Sequence, residues 1–156
     1  MQNGKSIQHQ QAFEKMTKFC AYQERCSFDV EQKLIKSGIE RSGIPLIIDE
    51  LKEQKFLDDQ RFAEIFVRSK FKYNNWGEVK IRAALTQKKI DKEIIAEALK
   101  QIVSEDNEDK ILHLAKQKFS KLKDEDIWKR KQKTAAFLIS KGFEPGKVFD
   151  TIKLLS

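Results

Sequence analysis

Apolar positions recur three and four residues apart along almost the whole chain, and no stretch alternates apolar with polar over the length of a strand. This is the period of an amphipathic helix, so every element is read as helical. Phe13, Met16 and Cys20 predict a first helix over residues 10–24. Ser27 then reads as the N-cap of a second helix with Asp29 and Glu31 in its first turn, Gly38 as its left-handed close, and Pro45 as the start of a third. In LDDQRFAEIFVRSK, residues 57–70, Asp58 is the natural cap of the next helix, and Leu57 and Phe62 are spaced to form a hydrophobic staple. Phe62, Ile65, Phe66 and Ser69 fall on one stripe that Tyr73 extends, which predicts the packed side of that helix. Ile90, Asp91 and Ile95 repeat the cap and staple further on. In the last third, Ile127, Lys131, Thr134, Ala135 and Leu138 keep helical spacing, and Pro145 opens the final helix.

One phrase recurs: LIKSGI from Leu34, LTQKKI from Leu85 and LISKGF from Leu138. In each, a leucine in the last turn of a helix is followed five residues later by an apolar residue just past the helix end. The three leucines are 51 and 53 residues apart. The nine-residue step from Ile90 to Leu99 returns between Phe143 and Ile152, whereas ERSGIP stretches it to twelve between Ile39 and Leu51. Loops absorb such insertions. A period of about 50 residues marks an array whose neighbouring units bury each other's apolar faces. The predicted fold is all-α: three tandem three-helix repeats over residues 9–57, 58–103 and 104–156, after a polar extension of residues 1–8, forming an elongated, curved array.

Charge adds a direction to this picture. The 156-residue chain carries 31 Lys and Arg against 24 Asp and Glu, a net charge of +7. Residues 1–57 hold 9 basic and 8 acidic side chains, 58–103 hold 10 and 7, and 104–156 hold 12 and 9, so the surplus is +1, +3 and +3. The positive field belongs mainly to the last two thirds. Clustered cations suit phosphates or an acidic protein groove, and the same balance also serves plain solubility. The start, MQNGKSIQHQQ, is polar, and no apolar run approaches the ~20 residues of a membrane span. With Cys20 and Cys26 and no secretory signal, the expectation is a soluble, cytoplasmic protein without disulfides or a membrane partner.

Candidate chemistry concentrates in the second repeat. Arg61, Glu64 and Arg68, spaced by three and four, suit an intrahelical ion-pair ladder worth ~0.2–0.5 kcal/mol per pair. Beyond it, Arg68, Lys70 and Lys72 lead through Tyr73, Asn74, Asn75 and Trp76 to Lys80, Arg82, Lys88 and Lys89, more cations than the single carboxylate of Glu64 answers. These basic residues, together with Lys129, Arg130 and Lys133 of the run WKRKQK, form the candidate partner-binding set. The acids Asp124, Glu125 and Asp126 divide the third repeat's basic run, so a solvated face accounts for it as well as a phosphate track does. Trp76 reads as core, and Asp58 and Asp59 as helix-start charges rather than a catalytic pair. His9 and His113 stand apart, no Cys/His/carboxylate cluster has metal spacing, no Gly-rich phosphate loop exists, and no Ser or Cys nucleophile comes with a base. The expectation is a binding protein with no catalytic residue, metal or cofactor.

LDDQRFAEIFVRSK followed by WGEVKIRAALTQKKI resembles the second repeat of the RecX family: Asp, two residues, Arg-Phe-Ala, a basic end, then Gly, Ile, Leu and a terminal apolar residue. CAYQERCSFDVEQKLIKSGI resembles the family's first repeat and KTAAFLISKGF its third, so the resemblance covers the chain after its short polar start. Two positions depart from the pattern. Lys89 stands where the family carries Gly, which would put a lysine in the left-handed region at roughly 1 kcal/mol, and Ala136 stands where the third repeat often carries a basic residue. The resemblance implies a crescent of tri-helical repeats that lies in the groove of a RecA filament on single-stranded DNA; an array with a polar start and a charged final unit need not self-associate, so a monomer is expected. The resemblance further implies inhibition of ATP hydrolysis, strand exchange and filament extension. Tri-helical units on a basic chain leave open a DNA-binding module acting without RecA, or an adaptor for another acidic protein.

Overall fold

The computed structural model describes residues 6–123 and 126–156. The expected N-terminal extension therefore lies largely outside the described residues, as do Asp124 and Glu125. Nine α-helices and no strand occupy the described residues: α1 Ile7–Tyr22, α2 Ser27–Lys36, α3 Ile44–Glu53, α4 Asp59–Asn74, α5 Glu78–Gln87, α6 Lys92–Leu99, α7 Ser104–Lys121, α8 Ile127–Ser140 and α9 Pro145–Ile152. A 3₁₀ turn, Arg41–Gly43, fills the longer first connection. Three successive triplets of helices each enclose a core of their own. Met16, Leu34, Ile47 and Leu51 centre the first, Val67, Ile81, Leu85 and Ile95 the second, and Ile111, Leu138, Phe143 and Val148 the third. The accessible surface of 10178 Å² exceeds the roughly 8,100 Å² of a compact monomer of this mass, as expected of an extended array.

The recurring phrase is one hydrogen-bonded device used three times. The N–H of Ile39 donates to the Leu34 carbonyl at 3.1 Å, that of Ile90 to Leu85 at 3.2 Å and that of Phe143 to Leu138 at 3.2 Å. This six-to-one bond closes a helix only if the residue before the apolar one turns left-handed. Gly38 does so at φ +82, Gly142 at +97 and Lys89 at +58, so the non-glycine departure is accommodated by a strained lysine.

Several local readings shift. α1 begins at Ile7, three residues before the expected start, because the Ser6 hydroxyl accepts the His9 N–H. Ser27 is the first residue of α2 and not its cap: Cys26 holds the cap position, and Asp29 accepts the Cys26 N–H at 3.2 Å. Asp58 does cap α4, accepting the Arg61 N–H at 3.1 Å, while Asp91 makes no side-chain cap bond. Leu57 and Phe62 are no staple, since they belong to different cores. The reason is the close of α3: with Lys55 at φ +65, the N–H groups of Phe56 and Leu57 fold back onto the Leu51 carbonyl and carry Leu57 into the first core. The packed side of α4 is also rotated. Phe62, Ala63 and Val67 are buried, Ile65, Phe66 and Ser69 are half-buried, and Tyr73 is 74% exposed.

The seams between triplets fix their relative placement. At the first, Asp59 Oδ1 accepts both the N–H (2.7 Å) and the hydroxyl (3.0 Å) of Ser27, and Cys26 enters the second core. At the second, the N–H groups of Gly77 and Val79 at the start of α5 donate to the carbonyls of Lys141 (2.8 Å) and Gly142 (2.9 Å) at the end of α8. Two helix ends thus satisfy each other's open backbone groups. Phe71 packs against both the second and third cores.

Candidate binding surface

The structure divides the eleven predicted cations into those consumed internally and those left facing solvent. Arg61 donates through Nε to Glu24 Oε1 at 3.0 Å and through its terminal nitrogens to the carbonyls of Lys55 (3.4 Å) and Phe56 (3.3 Å). No ladder along α4 forms, because Glu24 of the first triplet takes Arg61 while Arg68 donates to Gln101 Oε1 at 2.7 Å. Lys88 pairs with Asp29 Oδ1 at 2.7 Å. There burial raises the carboxyl pKa, but hydrogen bonds from Lys88 and the Cys26 N–H, with the Lys88 charge, outweigh it and hold Asp29 below its usual range. Arg82 makes an exposed pair with Glu78, one turn earlier on α5, at 2.9 Å. Arg130 lies over the Phe119 ring at 3.9 Å and donates to the Phe119 carbonyl at 2.8 Å.

Of the others, Lys70, Lys72 and Lys80 lie around the turn between α4 and α5. Trp76 packs on the second core, with the Phe66 ring edge-on at 6.2 Å, and its ring carries the ammonium groups of Lys70 at 4.9 Å and Lys80 at 4.6 Å. Two like charges on one ring repel each other, and among the described residues neither has a carboxylate within salt-bridge reach. Lys72 stands over the exposed Tyr73 at 5.3 Å. Lys141, which sequence reasoning missed, reaches in from α8 and donates to the Asn74 carbonyl at 3.0 Å. Lys89 lies 5.7 Å from the Phe28 ring. Lys129 and Lys133 are exposed on α8. The aromatic faces offset part of the repulsion between the lysines, and the rest is available to an incoming anion.

A second repeated device emerged only in three dimensions. Near the end of the first helix of each triplet, a phenylalanine ring carries a cation that also donates to that residue's carbonyl. Arg25 serves Phe19 (3.8 Å to the ring, 3.2 Å to the oxygen), Lys110 serves Phe71 (4.7 and 2.8 Å) and Arg130 serves Phe119 (3.9 and 2.8 Å). A cation there meets the negative end of the helix. Lys110 comes from α7, one triplet further on, and also donates to Asn75 Oδ1 at 2.9 Å; burial pushes its pKa down. The mark of this device in the sequence is the phenylalanine in the last turn of α1, α4 and α7: Phe19, Phe71 and Phe119.

His9 is not isolated, since Nε2 lies 3.1 Å from Glu50 Oε1, and among the described residues no group of His, Cys, Asp and Glu is arranged to hold a metal. No helix among them is long and apolar enough to cross a membrane.

Comparison with known proteins decides the family. Residues 58–99 match the family model "RecX, second three-helix domain", and residues 105–152 match "RecX, third three-helix domain". The chain belongs to the RecX family. "Regulatory protein RecX" of Clostridium botulinum (strain Eklund 17B / Type B) is 37% identical over 126 residues, which cover 80% of this chain and 58% of that protein. The chain thus matches somewhat over half the length of that RecX. The RecX of Pelodictyon phaeoclathratiforme (strain DSM 5477 / BU-1) is 31% identical over 127 residues, 81% of this chain and 78% of that one. A crystal structure of regulatory protein RecX superposes with a TM-score of 0.88 at 28% identity, over 95% of this chain and 74% of the other. RecX from Lactobacillus salivarius gives a TM-score of 0.85 at 24% identity, over 94% and 96%, and shares the fold.

Proposed function

We propose that this RecX-family chain binds the RecA filament assembled on single-stranded DNA and inhibits its ATP hydrolysis, strand exchange and extension, acting in the cytoplasm as a monomer and without catalysis of its own. The observation that carries the reading to particular residues is the cluster at the second seam, where Lys70 and Lys80 share the ring of Trp76 and, among the described residues, neither has a carboxylate to neutralise it. Lys72 and Lys141 extend that cluster onto both triplets, so a ligand that engages it touches the second and third repeats together. Ammonium groups left in this state favour a phosphate or carboxylate partner and steer its approach. Arg61, Lys88 and Arg130, already committed to internal oxygens, support the surface rather than forming it.

The test is the single-strand-dependent ATPase of RecA with and without the purified chain. The wild-type chain lowers the rate, and the double variant Lys70→Glu, Lys80→Glu loses most of that inhibition while keeping its helical circular dichroism. No inhibition by wild type at several-fold excess over RecA would refute the function, and full inhibition by the double variant would refute the site. Tight binding to naked single strands that falls steeply with salt, with no effect on RecA, would establish the DNA-binding module instead.

A further inference from the structure

The two seams are made of different materials. Across the second, backbone meets backbone: Gly77 and Val79 donate to Lys141 and Gly142, and a Cβ on Gly77 would lie 2.5 Å from the Gly142 carbonyl. Across the first, no backbone-to-backbone hydrogen bond connects the described residues. Its ties run through side chains: Asp59 to Ser27, Lys88 to Asp29 and Arg61 to Glu24. The last two pairs remain partly open to water, with side-chain exposures of 32% and 18% for Lys88 and Asp29, and 37% and 32% for Arg61 and Glu24. Such pairs are weakened by salt, whereas backbone bonds between helix ends are not.

Among the described residues, the apolar side chains of the first triplet that enter the second core are Cys26 and Phe28, at the start of α2. Beyond it the triplets part. Ile65, Phe66 and Ser69 of α4 face Gln23, Glu24 and Arg25 across an open groove of about 440 Å³, with Lys70 and Lys88 on its rim. The groove therefore has one wall on each triplet, and its width depends on the angle between them.

We infer that the first triplet is a latched arm. Cys26 and Phe28 form the pivot, Lys88–Asp29 and Arg61–Glu24 are the latches, and screening or competition for the two cations swings residues 23–25, with the end of α1 before them, away from α4 and widens the groove. The second and third triplets remain one body. At rest Arg61 and Lys88 are occupied by Glu24 and Asp29, and they become open to an anion in solution only when the arm is freed. The latch is a property of the chain alone, so its test stands apart from the recombinase reading.

The experiment is double electron–electron resonance on two doubly labelled full-length variants. Tyr22→Cys with Tyr73→Cys spans the first seam, and Tyr73→Cys with Leu154→Cys spans the second; the replaced residues are 82%, 74% and 72% exposed, and the native cysteines are buried. Raising NaCl from about 0.05 M to about 0.5 M, which shortens the screening length roughly threefold, broadens and lengthens the first distance distribution and leaves the second unchanged. Adding Lys88→Met to the first pair reproduces that broadening at low salt. Equal responses of both pairs to salt would overturn the inference, as would a first distribution that moves neither with salt nor with Lys88→Met.

Discussion

Gly77→Ala tests the second seam with one methyl group. Gly77 sits at φ −85 and ψ 172, extended backbone open to any residue, so the substitution carries no conformational strain of its own. The added Cβ instead meets the third triplet, 2.5 Å from the carbonyl carbon and oxygen of Gly142 and against the Phe143 nitrogen. Ordinary contact needs about 1 Å more, and no flexible side chain stands in the way that could give. Opening the seam by that amount stretches the Gly77–Lys141 and Val79–Gly142 hydrogen bonds from 2.8 and 2.9 Å beyond useful length. Two such bonds contribute about 1 kcal/mol each, and staying closed would cost a similar ~1–3 kcal/mol in overpacking. The alanine returns about 0.4–1 kcal/mol by restricting the unfolded chain. The net expectation is a loss of about 1–2 kcal/mol, or a fall in Tm of roughly 3–6 °C at the middle of that range. Thermal and urea unfolding followed by circular dichroism provide the measurement. Gly43→Ala is the control, since nothing lies within 4 Å of its Cβ position. If Gly77→Ala melts with the wild type and with Gly43→Ala, the backbone seam does not hold the triplets together.

Two further predictions concern the first triplet and its seam. Because Asp29 is held below its ordinary pKa of about 3.9, its contribution to stability is full above that value and is lost as pH falls through the lower folded-state value; Asp29→Asn should flatten the acid limb of the stability curve, and an unchanged limb would contradict the assignment. Burial raises the pKa of Cys20 and pushes that of Cys26 up to about 12, so neither thiol should react appreciably with a disulfide reagent at pH 8 in the native state, and both should react promptly in denaturant; rapid native labelling would disprove their enclosure.

The reach of the sequence depended on whether a contact was local. Helix closes at Leu34, Leu85 and Leu138, the cap at Asp58 and the left-handed lysine at position 89 were legible because six consecutive residues contain the whole interaction. The α4 stripe was misphased because this helix packs on one side and lines an inter-triplet groove on another, so half-buried Ile65 and Ser69 fell on the predicted packed side while buried Ala63 and Val67 fell off it. The partners of Arg61 and Lys88 were not legible because their acids, Glu24 and Asp29, lie 37 and 59 positions away, beyond any ladder along one helix. Nothing in the local pattern marks Gly77 and Gly142 as meeting backbone to backbone, since that fit exists only once two triplets are docked. Lys141 entered the candidate surface by the same route.

Lys110 gives the array an order in time. The end of α4 offers the carbonyl oxygens of Phe71 and Lys72 and the amide oxygen of Asn75, and all three accept from this one amine on α7. During synthesis the second triplet emerges from the ribosome with those oxygens unanswered, and it reaches its final form only after the opening turns of the third have followed. The smallest piece in which the chain itself answers all three oxygens therefore extends past α6 into α7.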